Sequence, residues 1–254
     1  MVIQERDRHL LRELAVMRVI DREQAKIVAR FGSTTRVNTR LLRLTRAGLL
    51  RRFFMGTTAG GAKALYSLSA KGAQAVDVPL RGLQRRNDET LVADFFVQHQ
   101  LAINELYCSL KYGALPPEFA FGRWISFTES LTPSLHLIPD GYVELKTPSG
   151  TLAAFLEVDL GSESLAVWKE KVRAYLLYAV SGDCERQFGQ SRFRVMVMAP
   201  TERRLNSIRT VVAEATDKIF WLTTLEATGG KNFFGPVWLR PKGREPQPFL
   251  REPQ

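Results

Sequence analysis

Between residues 6 and 20 the apolar positions Leu10, Leu11, Leu14, Met17 and Ile20 recur at helical spacing, so this segment is expected to bury one stripe and expose its arginines. Asp21 is a good cap for a second helix over 22–31, with Ala25, Ile27, Val28 and Phe31 inward and Gly32 ending it. Ser33 or Thr34 caps a third helix. There Val37, Leu41 and Leu44 form the buried edge at i, i+4, i+7, leaving Thr35, Arg36, Thr39, Arg40 and Arg43 towards the other side. Strand-like runs at 49–55 and 64–69 flank a glycine-rich stretch, 56–63, and predict a hairpin. The run Leu65-Tyr-Ser-Leu-Ser-Ala-Lys-Gly72 then passes from strand into a small-residue helix start.

Pro79 and Gly82 interrupt regular structure, which marks 79–87 as a connector after a first domain at 1–78. A long helix over 88–111 follows, with Leu91, Phe95, Ala102, Leu106 and Leu110 inward. Pro116-Pro117 precedes a strand at 120–127, and strands at 135–145 and 151–160 flank a turn at 146–150. Next come a helix at 164–180, with Trp168, Val172, Tyr175, Leu176 and Ala179 on one stripe, a strand at 193–198, a helix at 202–215 and a strand at 219–224. Residues 88–240 form the second domain in this reading, and 241–254 a proline-rich tail. Residues 233–254 carry five prolines and are expected to be extended, packing Phe234 and Trp238 while the last few residues fray.

Charge sharpens the division. Residues 1–86 hold 18 Lys and Arg against 6 Asp and Glu, net +12, while 87–254 hold 18 against 20, net −2. A basic module joined to a slightly acidic one points to a polyanionic partner for the first part, nucleic acid foremost. Arg36 and Arg40 are the candidates for reading base edges. Arg51, Arg52 and Lys63, on the hairpin, are better placed for phosphates or the minor groove. The charged start lacks the apolar core of a signal peptide, and no segment approaches the ~18 consecutive apolar residues of a membrane span, so a cytoplasmic location is expected. Cys108 and Cys184, far apart, are expected to be buried free thiols. His9, His99 and His136 are too scattered for a transition-metal cluster, and no nucleophile motif or phosphate-binding glycine loop is present.

The acids of the 151–160 strand require an explanation. Alternation puts Phe155, Glu157 and Asp159 on one face, with Asp140 on the neighbouring strand within reach. Carboxylates in so apolar a strand must lie near solvent, pair with cations, or bind metal. Hard Mg²⁺ or Mn²⁺ prefers such ligands, and Asp140 and Glu157 are the candidate pair. The competing expectation is that these acids pair with Lys171, Lys169 or Arg173 of the following helix and fix its docking.

Three helices and a hairpin in so basic a segment are similar to winged-helix DNA-binding domains, over residues 6–76. The following order of helix, three strands, helix and strand, with Pro139-Asp140 and Glu157-Val-Asp159, resembles the PD-(D/E)xK nuclease superfamily. The implied class is α+β: an N-terminal winged helix-turn-helix followed by an α/β nuclease-like domain with an αβββαβ core. That resemblance makes Asp140, Glu157, Asp159 and Lys171 the candidate catalytic set, with Asp159 standing where the superfamily has a lysine. Together with His99, Asn104 and Glu105, the strand 155–161 and the Lys171 to Tyr175 spacing, these features resemble the replication-relaxation family over residues 6–200. Membership implies a plasmid or mobile-element protein acting in replication or relaxation of its DNA. The implied partners are double-stranded DNA and either a second copy of the chain or a replication and relaxation protein. Three functions compete at this point: a DNA-binding accessory protein, a metal-dependent nicking enzyme using Asp140 and Glu157, and a transcription regulator.

Overall fold

The computed structural model describes residues 2–56, 60–81, 83, 88–91, 94–228 and 233–250. They form a mixed α+β chain that divides into two compact units, 1–108 and 109–254.

Helix α1, Glu5–Met17, starts with a reciprocal cap in which Gln4 and Asp7 satisfy each other's backbone groups. It stops short of Ile20. Arg18 takes a left-handed conformation, φ 64°, and Val19–Asp21 becomes strand β1. Local spacing favours helix here, but pairing with residues 65–67 and complete burial of all three residues override it. Asp21 then caps α2, Arg22–Val28, by accepting the Gln24 N–H at 2.8 Å. Ser33 caps α3, Thr34–Arg46, whose apolar edge Val37, Leu41 and Leu44 is fully buried. Strands β2, Leu50–Gly56, and β3, Ala62–Leu68, pair antiparallel as the expected hairpin. Residues 57–59 of its tip lie outside the described residues. Helix α4, Ala70–Ala75, follows from the Ser69 cap.

Strand β4, Thr90–Leu91, runs parallel to β2 and completes a sheet ordered β1-β3-β2-β4. The long helix therefore begins later than its apolar pattern implies, as α5, Phe95–Tyr112. Ahead of it, the Phe54 N–H donates to the Glu89 carbonyl and the Asp88 N–H to that of Arg52, so this stretch is held as sheet edge. Val97 and Leu101 of α5 pack with Val19, Phe53, Met55 and Leu65. The Asn104 amide donates to the carbonyls of Met17 and Val19 at 3.0 and 2.5 Å, and the Tyr107 hydroxyl to Glu13 at 2.6 Å. These ties carry the first unit past the connector, of which residues 82 and 84–87 lie outside the described residues.

In the second unit, strands β5, Ala120–Ile125, β6, Gly141–Thr147, β7, Gly150–Val158, β8, Arg194–Ala199, and β9, Phe220–Thr224, form one sheet in chain order. The first three are antiparallel; β7, β8 and β9 are parallel. Parallel neighbours need crossovers, supplied by α6, Leu165–Ser181, with the short α7, Asp183–Phe188, and by α8, Glu202–Ala215. Trp168, Val172 and Tyr175 of α6 and Leu205, Ile208 and Val212 of α8 pack with Phe155, Val195, Val197 and Phe220 of the sheet in one core. Strand β6 is shorter than expected and begins after Asp140.

Beyond β9 the chain adds a small ribbon, β10, Pro236–Trp238, and β11, Gln247–Pro248. Trp238 and Phe249 are buried with Phe233, whereas Phe234 is only half-buried, so the proline-rich segment is anchored at least to Leu250. The expected fraying falls on residues 251–254, outside those described. Both cysteines are buried, and neither is in a disulfide. Among the described residues no helix is long and apolar enough to cross a membrane.

Candidate functional site

Two constellations have a chemistry that scaffolding alone does not require. The first is the outer face of α3. Thr35, Arg36, Thr39 and Arg43 are exposed there, and Arg46 continues the row. Among the described residues no acid pairs with Arg36, Arg43 or Arg46. Arg40 behaves differently from the outward donor its position in the sequence implies. Its guanidinium makes a two-pronged contact with the Asp7 carboxylate, with Nε 2.6 Å from Oδ1, and a further bond to the Val2 carbonyl. Asp7 is 1 % exposed, so an arginine brought to it offsets the cost of burying the charge.

The hairpin cations are also engaged. Lys63 pairs with the Asp21 carboxylate that caps α2, and Arg52 bonds Asp88 while lying over the Phe54 ring. Arg51 is half-buried and has its own interaction. The row on α3 is thus the part of this set that presents uncommitted cations.

The second constellation closes around the end of β7. Glu157 is 1 % exposed, and both of its oxygens are taken: Tyr175 donates to Oε1 at 2.6 Å and Lys171 to Oε2 at 2.8 Å. Lys171 and Tyr175 stand four apart on α6 and so reach the strand from one helix face. The same ammonium lies 2.8 Å from Glu163. Asp140, just before β6, accepts the Val158 N–H at 2.7 Å. Burial pushes the Glu157 carboxyl up to about 7; Lys171 opposes the shift and the nearby Asp140 charge adds to it. Burial would lower Lys171, but the charge and hydrogen bond of Glu157 outweigh it and hold the ammonium above the ordinary lysine range. Burial and the adjacent Glu157 charge hold the Tyr175 hydroxyl well above its usual value, so it stays a donor.

Of the four residues proposed from sequence as catalytic, the structure thus gathers Asp140, Glu157 and Lys171. Asp159 goes elsewhere. It lies past the end of the strand, where the Trp168 indole donates to it at 2.7 Å and the Arg204 guanidinium bonds both oxygens. Burial alone would raise this carboxyl, but hydrogen bonds from Arg204, Trp168 and the Gly161 N–H hold it below the usual range. Of the three expected helix cations, only Lys171 faces Glu157, because Lys169 pairs with Glu214 and Arg173 with Glu170. Arg204 and Glu163 had no assigned role in the sequence, and Tyr175 was placed there on the inward stripe of its helix and in the Lys171 to Tyr175 spacing, not as a partner of Glu157. The spacing of Tyr175 from Lys171 pointed towards it, while Arg204 comes from a helix forty-five residues beyond its acid, with no local signal.

Oxygen donors of the Asp140 and Glu157 type suit Mg²⁺ or Mn²⁺. Here, however, an ammonium already sits against Glu157, and among the described residues no group of three or more His, Cys, Asp or Glu is gathered for an ion. This arrangement does not fit a divalent cation unless Lys171 is displaced.

Residues 11–191 match the replication-relaxation family. No curated protein and no solved structure matches the chain.

Proposed function

Because the chain belongs to the replication-relaxation family, with a role related to DNA replication or relaxation, we propose that its first unit is a winged-helix module that grips duplex DNA through α3. The observation that carries this is the two-sidedness of α3. Its buried edge fixes the helix on the core, while Thr35, Arg36, Thr39, Arg43 and Arg46 form a donor-rich cationic face. Each arginine that neutralises a phosphate releases condensed counterions, and bidentate contacts to base edges add about 1–3 kcal/mol of discrimination. The order of three helices and an antiparallel hairpin supports the winged-helix reading. Arg40 serves this surface by holding α1 against α3 and is not itself a reader.

For the second unit, the order β5, β6, β7, α6, β8, reached in the chain from α5 of the first unit, is what supports a PD-(D/E)xK-like reading. Convergence of Asp140, Glu157 and Lys171 is what favours the nicking enzyme as a second reading. Against it, the Lys171 ammonium stands where that chemistry needs an ion, and Asp159 is tied to Arg204. A DNA-binding protein of a mobile element is therefore the function this geometry supports best.

The test is fluorescence anisotropy of the full chain on labelled duplexes. Arg36→Ala is expected to lose affinity and sequence preference, and Arg43→Ala to lose affinity for all duplexes. Lys63→Ala is expected to matter less than either. Wild-type binding by both arginine variants would overturn the assignment.

A further inference from the structure

Four exposed large apolar side chains, Leu165, Val167, Leu177 and Val180, lie on α6, with Leu177 and Val180 52 % and 82 % exposed. Leu177 and Val180 lie together on the outward face, with Leu165 and Val167 on its two flanks near the helix start, and exposed apolar side chains grouped on a helix mark an interaction surface. The outermost stripe of α6 is Ala166, Glu170, Arg173, Leu177 and Val180, stepping by four and three residues, opposite the buried Trp168 and Tyr175. That is the spacing of a helix seam. Beside it runs a groove of about 510 Å³ between α6 and α8, lined by Val172, Leu176, Val211 and Ala215.

The charges on this face select the occupant. Glu170 and Arg173 pair within the helix at 3.5 Å, and Lys169 and Glu214 pair across the groove at 3.7 Å, all four side chains well solvated. Pairs so exposed contribute little where they are and can exchange partners readily. A twofold axis between Glu170 and Arg173 would lay two antiparallel copies of α6 together. Each Glu170 would then face the partner's Arg173, and each Leu177 would meet the small Ala166 of the other copy. An isologous contact needs this self-complementarity, both of charge and of large against small. Residues 87–254 carry net −2, so this part does not repel its own copy as the +12 first part would. We propose that the α6 stripe and its flanking groove are a homodimer interface whose partner is a second copy of this chain.

Sedimentation equilibrium of the full, nucleic-acid-free chain tests it. The wild type is expected to dimerise with a Tm that rises with protein concentration, and Leu177→Glu to sediment as a folded monomer that unfolds cooperatively at a Tm independent of concentration, since the side chain is exposed. Glu170→Arg alone and Arg173→Glu alone should each weaken the dimer at least about tenfold by setting like charges face to face. An equimolar mixture of those two variants should recover wild-type association, because opposite charges again meet across the axis. A monomeric wild type, a dimer indifferent to Leu177→Glu, or a mixture no better than its components would overturn the proposal.

Discussion

Lys171 Nζ lies 2.8 Å from the buried Glu157 Oε2. One ammonium thereby balances an acid that the apolar end of β7 would otherwise leave uncompensated, with Asp140 close enough to disfavour its charge. The contact predicts a pH dependence. Glu157 rises from 4.5 to about 7 on folding, so its contribution to stability is present in full below 4.5 and is lost as pH rises through 7. Urea melts from pH 4 to pH 8 should show the wild type losing up to about 3 kcal/mol relative to Glu157→Gln. Lys171→Met should be destabilised by about 3 kcal/mol at pH 8 and less at pH 5, where Glu157 can hold a proton. A constant difference across that range would remove this role for the pair.

Metal provides a separate check on the same carboxylates. With Lys171 in place, Mn²⁺ is expected to leave the wild-type Tm unchanged. Lys171→Ala frees Glu157 Oε2 beside Asp140, and Mn²⁺ should then raise the Tm by binding the folded state preferentially. A wild-type Tm that rises with Mn²⁺, lost in Asp140→Ala, would restore the nicking reading.

Asp159 is held by Arg204 and Trp168 for structural reasons. Arg204→Ala strands a buried carboxylate and is expected to cost about 3–5 kcal/mol. Because the folded carboxyl lies below its ordinary value, its stabilisation is present above the unfolded pKa and lost as pH falls through the folded one. Acid titrations followed by circular dichroism should accordingly show a shallower loss of stability in Asp159→Asn than in the wild type. DNA binding should be unaffected by this variant at neutral pH.

The arginines of α3 should separate into two classes. Arg40→Ala leaves Asp7 buried without its partner, and is expected to cost about 3–5 kcal/mol in thermal or urea unfolding. Arg36→Ala, on the exposed side, should stay within about 0.5 kcal/mol of wild type. Equal destabilisation by both would contradict the division of labour drawn from the Asp7 contact.

Helices with a strong one-sided stripe were legible in the sequence. The α8 bounds are those its periodicity implies, α3 emerged with its buried edge and Ser33 cap, and the β2–β3 hairpin formed from the two strand-like runs that flank the glycine-rich stretch. What escaped was decided by contacts distant along the chain. Val19–Asp21 is three residues long, too short for any period to reveal, and its strand character comes from β3. Tyr107 looks like an ordinary helix residue, and Asn104 stands out only through the family resemblance, until Met17, Val19 and Glu13 supply their hydrogen-bond partners. In the acidic site, alternation put Glu157 and Asp159 on one face, yet Asp159 lies beyond the end of β7, where strand alternation no longer applies. Arg40 could be placed on the outward side by helix geometry, but only Asp7, on another helix, turns it back.

The central claim, that α3 holds duplex DNA by its free arginines, is tested most directly by the salt dependence of binding by the full chain. The slope of log K against log salt for the wild type is compared with that of the Arg36→Ala, Arg43→Ala, Arg46→Ala triple variant. Arg43 and Arg46 each give up a phosphate contact worth about 0.9 in slope while Arg36 gives up a base contact, so weaker binding with a slope reduced by roughly 2 is predicted. An unchanged slope and affinity in the triple variant would contradict the account.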